Sequence, residues 1–280
     1  MIALMLVAAA MPPGTKLLDP ISYRQVTVLP IVRTGAPAAG DYLTLQAALE
    51  GGLAAVREHG DVNSVIVENR SGRTLLLVGG EMILGGQQDR ILGQDTLVPP
   101  HRSATVAVYC VEHGRWSGAQ QFGAAGGMVD SRVRARAKLA KDQQQVWNEV
   151  AHKTAQTGAR TPTGTYRAVG EKVAEAIRPY REALVQQLDA LPQAKDLVGL
   201  AAAVNGRIVS MDAFATPQLF MQYRDRILDA AIVGAQGVPE QRDAPKATAA
   251  EVERFLQAAP PSTVRGSAGE AVYESSVSTE

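Results

Sequence analysis

The sequence is poor in the residue types that build disulfides and metal centres. Cys110 is the single cysteine among 280 residues, which excludes an internal disulfide framework and a cysteine-cluster metal site. The four histidines, at positions 59, 101, 113 and 152, show neither HxH nor HExxH spacing, so no zinc site is predicted. We therefore expect no metal ion, and the sequence carries no signature of an organic cofactor.

Familiar nucleotide-binding and catalytic motifs are missing as well. The glycine-rich segment GGEMILGG, residues 79–86, has neither the lysine of a P-loop nor the spacing of a dinucleotide fingerprint, and no GxSxG elbow occurs. Cys110 with Glu112 and His113 could form a thiol nucleophile with a base. However, the alternation of its strand places Cys110 on the apolar face, where a free cysteine usually packs as a small hydrophobe. The sequence leaves open whether the protein is an enzyme.

Neither sign of charge is in excess. The 28 basic residues balance the 28 acidic ones, leaving no overall charge to attract nucleic acid or an anionic membrane. The basic stretch from Arg132 to Lys141 is partly balanced by Asp130, Asp142 and Glu149, and no aromatic residues interleave with it. We expect no nucleic-acid partner. No apolar run is long enough to span a bilayer, so we also expect no integral membrane segment.

The first ten residues depart from this even composition. Met1–Ala10 (MIALMLVAAA) is apolar and ends in small residues before Pro12-Pro13, a pattern typical of a secretory signal, although it lacks the basic leader. The pattern predicts export to the periplasm or the medium. The alternative is an apolar terminus or an extra strand of a cytoplasmic protein. We interpret residues 1–20 as a signal or a disordered segment.

The stretch from Leu75 to Trp116 dominates the sequence. Short apolar runs alternate there with glycine-rich and polar segments, and Ala104–Val111 alternates as a half-buried strand does. Gly79-Gly80 and Gly85-Gly86 flank one short apolar run, which indicates a tight hairpin or a bulge. Several antiparallel strands are predicted here.

Further elements are predicted on both sides of this stretch. Strands are expected at Val26–Val32 and Val62–Glu68, and as a late hairpin, Val198–Met211, that turns at Asn205-Gly206. Helices are expected at Leu45–Val56, Ser131–Lys153, Tyr166–Leu191 and Thr216–Ala235. The glycine-rich segment Ser117–Gly127 is predicted to be an irregular loop.

These elements predict an α+β fold. We expect a largely antiparallel β-sandwich or barrel-like core, which the late hairpin joins, with flanking helices on one side. Residues 21–237 are expected to form a single domain. Residues 238–280, rich in Pro, Ala, Ser and Glu, are expected to be a mostly disordered tail that contains one helix.

Five blocks of the sequence resemble a known family. They are GEMILGGQQDRIL (Gly80–Leu92), VYCVEHGRW (Val108–Trp116), VWNEVAHK (Val146–Lys153), PTGTY (Pro162–Tyr166) and AVNGRIVSMDAFATPQLF (Ala203–Phe220). In this order they resemble the ARG and Rhodanese-Phosphatase-superfamily-associated protein domain, a mostly bacterial family named for its genomic association with ADP-ribosylglycohydrolases and rhodanese-phosphatases. The resemblance covers roughly Tyr23 to Ala235. It implies a link to ADP-ribose or NAD metabolism but carries over no activity.

Polar side chains near the predicted strand ends form the strongest candidate ligand site. Arg90 and Arg115 could hold a phosphate or carboxylate bidentately, and Trp116 could cover a base or ring. Arginine–carboxylate pairs at strand ends also serve simply to tie hairpins together, so a scaffold role stays open. The candidate ligand-binding residues are Glu81, Gln87, Gln88, Asp89, Arg90, Glu112, Arg115, Trp116 and Asp212.

Two functions remain open at this point. The first is a domain that binds or acts on a phosphorylated small metabolite, for which the family association alone suggests compounds related to ADP-ribose or NAD. The second is a non-catalytic exported domain that binds another protein, supported by the signal-like amino end and by the missing metal and nucleophile–base constellations. A small-molecule ligand and a protein partner are the two kinds of partner to test.

Overall fold

The computed structural model describes residues 11–36 and 40–278 of the chain. The predicted signal at Met1–Ala10 lies outside these residues. The strands are β1 (Thr15–Leu17), β2 (Ile21–Tyr23), β3 (Val26–Arg33), β4 (Tyr42–Thr44), β5 (Ala54–Glu58), β6 (Ser64–Asn69), β7 (Thr74–Leu77), β8 (Glu81–Gly85), β9 (Arg90–Leu92), β10 (Thr96–Val98), β11 (Ser103–Cys110), β12 (Gln121–Met128), β13 (Leu197–Val204), β14 (Arg207–Phe214), β15 (Ser262–Arg265) and β16 (Ala271–Val277).

Six α-helices accompany these strands in the described part of the chain. They are α1 (Leu45–Glu50), α2 (Ser131–Ala135), α3 (Gln143–Thr157), α4 (Arg167–Asp189), α5 (Pro217–Ala235) and α6 (Ala249–Ala258), with a π-helical segment at Arg136–Ala140 and a 3₁₀ turn at Ala194–Asp196. Across the described ranges, no helix combines the length and the apolar character that crossing a bilayer would require.

A closed antiparallel barrel forms one half of the core. Its strands follow the order β11, β6, β5, β12, β8 and β9. Along β6 buried and half-buried residues alternate, so Val65 and Val67 enter the barrel core while their neighbours face outward. A small sheet of β10, β7 and β4 covers this core with Leu75 and Leu77. The predicted α+β fold with a barrel-like core is confirmed.

A second, seven-stranded sheet holds the late hairpin. Asn205 and Gly206 both adopt positive φ, 48° and 78°, as the tight turn of a two-residue hairpin requires. The resulting β13–β14 pair lies between β3 and β16. The hairpin therefore joins the first long strand, as predicted, but in a sheet of its own rather than in the barrel.

The segment Ser117–Gly127 was predicted to be a loop, and that prediction is wrong from Gln121 onward. Gln121–Met128 is strand β12, which pairs with β5 and β8 and closes the barrel. Its register shifts twice along β8, and glycine and alanine replace the alternating apolar residues that mark a strand. Phe122 supplies the one large apolar side chain that β12 adds to the barrel core.

Two predicted helices differ from the expectation: one is shorter and the other is divided. The helix capped by Thr44 ends at Glu50, before Gly51-Gly52, and the apolar residues that follow it belong to β5. The run from Ser131 onward divides into α2, the π-helical segment and α3, because Lys141 turns left-handed at φ 52° and Asp142 caps a new helix.

The helices cover both faces of the seven-stranded sheet. Helices α4 and α5 pack on one face through a cluster that includes Leu200, Phe214 and Tyr223. The shorter α6 packs on the opposite face with Val252 and Leu256 against Leu29 and other residues of the sheet.

The tail differs from the expectation of disorder. Residues 238–280 contain α6, β15 and β16, and β16 pairs with β14 over five residue pairs. Val272 and Tyr273 are fully buried. Strand β15, at the edge of the sheet, is largely exposed, whereas β16 is buried from Val272 to Val277, including its polar residues Glu274, Ser275 and Ser276.

Candidate functional site

Arg90 is buried against the barrel core. Its guanidinium pairs with Glu58 Oε2 at 2.8 Å and lies 5.5 Å from the ring centre of Phe122. Glu58 Oε1 also accepts the backbone N–H of Gln87 at 3.0 Å. The charge of Arg90 is therefore already matched by a protein carboxylate within a closed interior.

Cys110 and Gln88 lie beside this pair. The Cys110 thiol donates to Gln88 Oε1 at 2.9 Å, and the Gln88 amide donates to the carbonyl of Glu112 at 2.8 Å. Burial raises the pKa of the Cys110 thiol, and the Arg90 charge offsets this only in part. A nucleophilic cysteine requires the thiolate, so the geometry agrees with a packing role for Cys110.

Arg115 ties the end of β11 to the loop between β8 and β9. Its Nη2 lies 2.6 Å from Glu112 Oε2 and 3.2 Å from Asp89 Oδ1, and its Nη1 donates to the Gly86 carbonyl at 2.9 Å. Thr165 donates to the other oxygen of Asp89 at 3.0 Å. Burial acts to raise the pKa of Glu112, but hydrogen bonds from Arg115 and from the Asp89 N–H lower it below its ordinary value.

Glu81 belongs to a different pair. Its side chain is fully buried and accepts from Arg226 of α5 at 2.6 Å and from the backbone N–H of Val78 at 2.8 Å. Burial raises the pKa of Glu81, although Arg226 opposes the shift. The pair joins helix α5 to the start of β8.

Asp212 forms a third buried group with Arg134 and Tyr273. Arg134 Nη2 lies 2.8 Å from Asp212 Oδ1, which also accepts from the Tyr273 hydroxyl. Arg134 further donates through Nε to the Gly79 carbonyl at 2.8 Å. Burial is the largest single influence and acts to lower the pKa of Arg134, but the interactions with Asp212, Tyr273 and Asp95 together outweigh it and raise that pKa. This group joins α2 to β14 and β16.

The structure therefore divides the predicted site among separate places. It brings Gln88, Asp89, Glu112 and Arg115 together, sets Gln87 and Arg90 around Glu58, and places Glu81 and Asp212 in ion pairs with helical arginines. Trp116 is 56% exposed. Arg90 and Arg115 line neither of the two large clefts of the molecule.

The larger of these clefts, here called the C-terminal cleft, lies between α6, the β13–β14 turn, the β15–β16 hairpin and the π-helical segment. Its volume is about 710 Å³. Lys138, Arg207 and Arg254 line it, against a single acidic residue, Glu251. Apolar side chains, among them Leu139, cover another part of its wall.

A closed group of polar side chains forms one end of this cleft. Lys138 Nζ donates to Asp95 Oδ2 at 2.5 Å, to Ser275 Oγ at 2.6 Å and to Ser262 Oγ at 3.2 Å. The opposite oxygen of Asp95 accepts the Gly79 N–H at 2.8 Å. We call Asp95, Lys138, Ser262 and Ser275 the Lys138 cluster. All three ammonium protons of the lysine are thus used within it.

The charges of the Lys138 cluster depend on each other. Burial acts to raise the pKa of Asp95, but the charges of Lys138 and Arg134, with hydrogen bonds from Lys138 and the Gly79 N–H, together outweigh it and lower that pKa. Burial lowers the pKa of Lys138, and the Asp95 charge opposes the shift only in part. The carboxylate is therefore held ionised by a lysine that is itself poorly solvated.

The π-helical segment places Lys138 in this position. Such segments are rare and often occur at functional sites. The backbone of Gly79 lies so near that a Cβ atom there would approach Lys138 Cδ to 3.0 Å. Helical widening and a glycine together bring the lysine, the aspartate and a backbone N–H into contact.

A second cleft, of about 560 Å³, lies on the other side of Arg207 and Glu251, which line both. Its further charges are balanced, with Asp130 and Glu149 against Arg132 and Lys153. Lys153 donates to the carbonyls of Gly234 and Gln236 at 2.8 and 3.1 Å and so caps the carboxyl end of α5. Because its charges are balanced, the lining of this cleft attracts an anion less strongly than that of the C-terminal cleft.

Sequence reasoning missed the Lys138 cluster. Lys138 was part of a basic run that was considered only as a signal for nucleic acid, and both serines fall in the tail for which disorder was expected. In the sequence the one signal is Leu139, an apolar residue outside the helical spacing of Val133, Ala137 and Ala140; in the structure it is 55% exposed. No group of three or more His, Cys, Asp or Glu side chains in the described ranges could hold a metal ion.

Comparison with known proteins identifies one family. The model of the ARG and Rhodanese-Phosphatase-superfamily-associated Protein domain (ARPP-1) matches residues 14–277. No curated protein and no solved structure matches the chain significantly.

Proposed function

We propose that the C-terminal cleft binds a small phosphorylated metabolite. The chain belongs to the ARG and Rhodanese-Phosphatase-superfamily-associated Protein domain family. The observation that supports the proposal most is the charge of the cleft: Arg207 and Arg254 line it against one acidic side chain, Glu251, while Asp95 balances the charge of Lys138. A phosphate is attracted by such an excess of positive charge in a concave, partly desolvated site.

The size of the cleft agrees with this ligand class. Its volume of about 710 Å³ lies within the range of roughly 300–1,000 Å³ that small-molecule sites occupy. Ser278 lines the same cleft, and a hydroxyl group is suited to phosphate oxygens and ribose hydroxyls.

One wall of the cleft suits a ring. Leu139 is exposed, and Ile208, Phe255 and Pro260 lie nearby along the lining. An apolar wall beside cationic side chains matches a molecule with a base at one end and phosphate at the other. ADP-ribose is the first compound to test because the name of the family links it to that metabolism, which is an association and not chemistry.

The arginines predicted from the sequence support this function less well. Arg90 and Arg115 both contact protein carboxylates at 2.6–2.8 Å, so a ligand phosphate would have to displace those partners. We infer that they hold the hairpins of the barrel in place. Their role in ligand binding stays a prediction.

A thermal-shift screen with ADP-ribose, NAD, nucleotides and sugar phosphates tests the proposal. We expect a concentration-dependent rise in Tm, and about tenfold weaker binding by calorimetry in Arg254→Ala, since a charge-assisted hydrogen bond contributes roughly 1.5–3 kcal/mol. Arg178→Ala is the matched control, because Arg178 is a similarly exposed arginine paired with Glu175 three residues away, on α4.

Two results would overturn the proposal. The first is a flat screen on a well-folded protein, which would turn attention to a protein partner, the second function that the sequence leaves open. The second is that Arg254→Ala and Arg178→Ala weaken ligand binding equally. In that case the binding site would lie outside the C-terminal cleft.

A further inference from the structure

We propose that Ser262 is a nucleophile, with Asp95 as its general base and Lys138 as the group that holds both. The inference rests on the proposed function, since it assigns a reaction to the same cleft. It starts from the geometry of the Lys138 cluster, where a hydroxyl, a carboxylate and an ammonium group meet at a cleft large enough for a substrate.

The Ser262 hydroxyl has the contacts that nucleophile activation requires. Its Oγ lies 2.8 Å from Asp95 Oδ2 and 3.2 Å from Lys138 Nζ. Because an ammonium group can only donate, the serine oxygen accepts from Lys138, and its own proton can go to the carboxylate. A nucleophile within reach of a base that a third group orients is the general arrangement of nucleophilic catalysis.

The difference in exposure favours Ser262 rather than Ser275 as the nucleophile. Ser275 Oγ also contacts Lys138 and lies 3.1 Å from Asp95 Oδ2, but Ser275 is only 1% exposed. Ser262, at the start of β15, is exposed and lines the cleft. A substrate in the cleft can therefore approach the oxygen of Ser262.

The base is held in one orientation. Asp95 Oδ1 accepts the Gly79 N–H at 2.8 Å, and Oδ2 faces Lys138 and the two serines. The Asp95 side chain is 2% exposed, so water does not compete for these contacts. Such a preorganised carboxylate needs little rearrangement when it takes a proton.

The reaction that fits a phosphoanhydride ligand is transfer of a phosphoryl group to the serine. The Ser262 Oγ–P bond forms, and the bridging P–O bond breaks with its electron pair leaving on the departing phosphate. The hydroxyl proton moves to Asp95 Oδ2. The positive charges of Arg207 and Arg254, which line the cleft, stabilise the negative charge that gathers on the phosphoryl oxygens.

A fluorophosphonate probe tests the nucleophile without knowledge of the natural substrate. In this labelling reaction the Oγ–P bond forms and fluoride leaves. We expect peptide mapping by mass spectrometry to find the adduct on Ser262 and none there in Ser262→Ala. Ser22→Ala is the matched control and should label as the wild type does, because Ser22 is also exposed on a strand and hydrogen-bonded, but to the Thr27 hydroxyl at 2.8 Å.

The role of the base has its own readout. Asp95→Asn should label at least tenfold more slowly, in line with the contribution of a general base. If that variant fails to fold, the pH profile of labelling in the wild type replaces it, and the rate should fall as acid protonates the carboxylate.

The outcomes separate the two proposals. If Ser262 is not labelled while ADP-ribose binds Ser262→Ala, the nucleophile is refuted and the proposed function stands. If Ser262 is labelled but the metabolite screen is flat, the nucleophile is supported and the ligand class is wrong. Equal labelling of Ser262 and of other exposed serines would refute the nucleophile, because Ser262 would then have no special reactivity.

Discussion

The Lys138 cluster gives a sharp prediction about stability. Asp95→Asn removes the carboxylate charge but keeps the shape of the side chain. In the wild type Oδ1 faces the Gly79 N–H and Oδ2 faces Lys138. The new amide must therefore point its NH₂ group at one donor or the other, whichever way it turns. One contact of the cluster becomes a clash between donors, and Lys138 loses its neutralising partner.

The magnitude follows from burial. The side chains of Asp95 and Lys138 are 2% and 6% exposed, so water cannot replace the lost partner. Removing one member of a buried ion pair costs roughly 3–5 kcal/mol of unfolding free energy. At pH 7 we therefore expect the unfolding free energy of Asp95→Asn to lie below that of the wild type by this amount, which is called the deficit below.

The deficit should depend on pH, with a defined sign. Burial already lowers the pKa of Lys138 below its ordinary value of 10.5, and the Asp95 charge raises it in part; without that charge the pKa falls further. Between the folded pKa and 10.5 the unfolded chain binds a proton at Lys138 that the folded chain does not. Stability therefore rises with pH in this window, by up to about 1.4 kcal/mol per unit. We expect the deficit of Asp95→Asn to narrow as the pH rises from 7 towards 10.

Urea unfolding followed by circular dichroism at a series of pH values measures both effects. Asp41→Asn is the control, because Asp41 also pairs with an arginine, Arg73 at 2.5 Å, but is 73% exposed; its unfolding midpoint should match that of the wild type throughout. A deficit for Asp95→Asn below about 1 kcal/mol, or one that stays constant with pH, would refute the claim that the pair is desolvated.

Two further predictions concern other parts of the fold. Arg226→Met should cost about 3 kcal/mol at neutral pH because it leaves Glu81 buried without its partner. Since burial raises the folded pKa of Glu81 above 4.5, its deficit in unfolding free energy should shrink as the pH falls towards 4.5, and a deficit that grows instead would contradict the assignment. A chain truncated after Ala259 should lose its cooperative thermal transition, because it lacks the buried Val272 and Tyr273 and exposes the edge of β14; a transition unchanged from that of the full chain would show that the tail is dispensable.

Local patterns in the sequence predicted several elements correctly. The Asn205-Gly206 turn, the helix that begins after Thr216 and the alternation of β6 all depend on residues close to each other in the chain. Short-range steric and hydrogen-bonding preferences determine such features, so they can be recognised without the rest of the protein.

Elements whose stability comes from distant partners were not recognised. Strand β12 consists largely of small residues, and it is a strand because β5 and β8 lie on either side of it. Strand β16 follows a polar tail, yet its pairing with β14 buries Tyr273. In both cases tertiary pairing overrides the local propensity.

The candidate site shows the same division. The polar residues near the strand ends were identified, and Asp89, Glu112 and Arg115 do lie together. Which cation each carboxylate meets could not be predicted. Glu81 pairs with Arg226, which lies 145 residues away in the sequence, because α5 packs against the start of β8.

By itself the sequence determined the family, the α+β class and the local turns and caps, because these follow from residue types and short spacings. Only the tertiary structure decided which side chains meet in the Lys138 cluster and line the C-terminal cleft. In the Lys138 cluster, Asp95 contacts Lys138, which is 43 residues away in the sequence, and Ser275, which is 180 residues away. Contacts over such distances arise when sheets and helices pack, and burial together with the neighbouring charges then shifts the pKa values of Asp95 and Lys138.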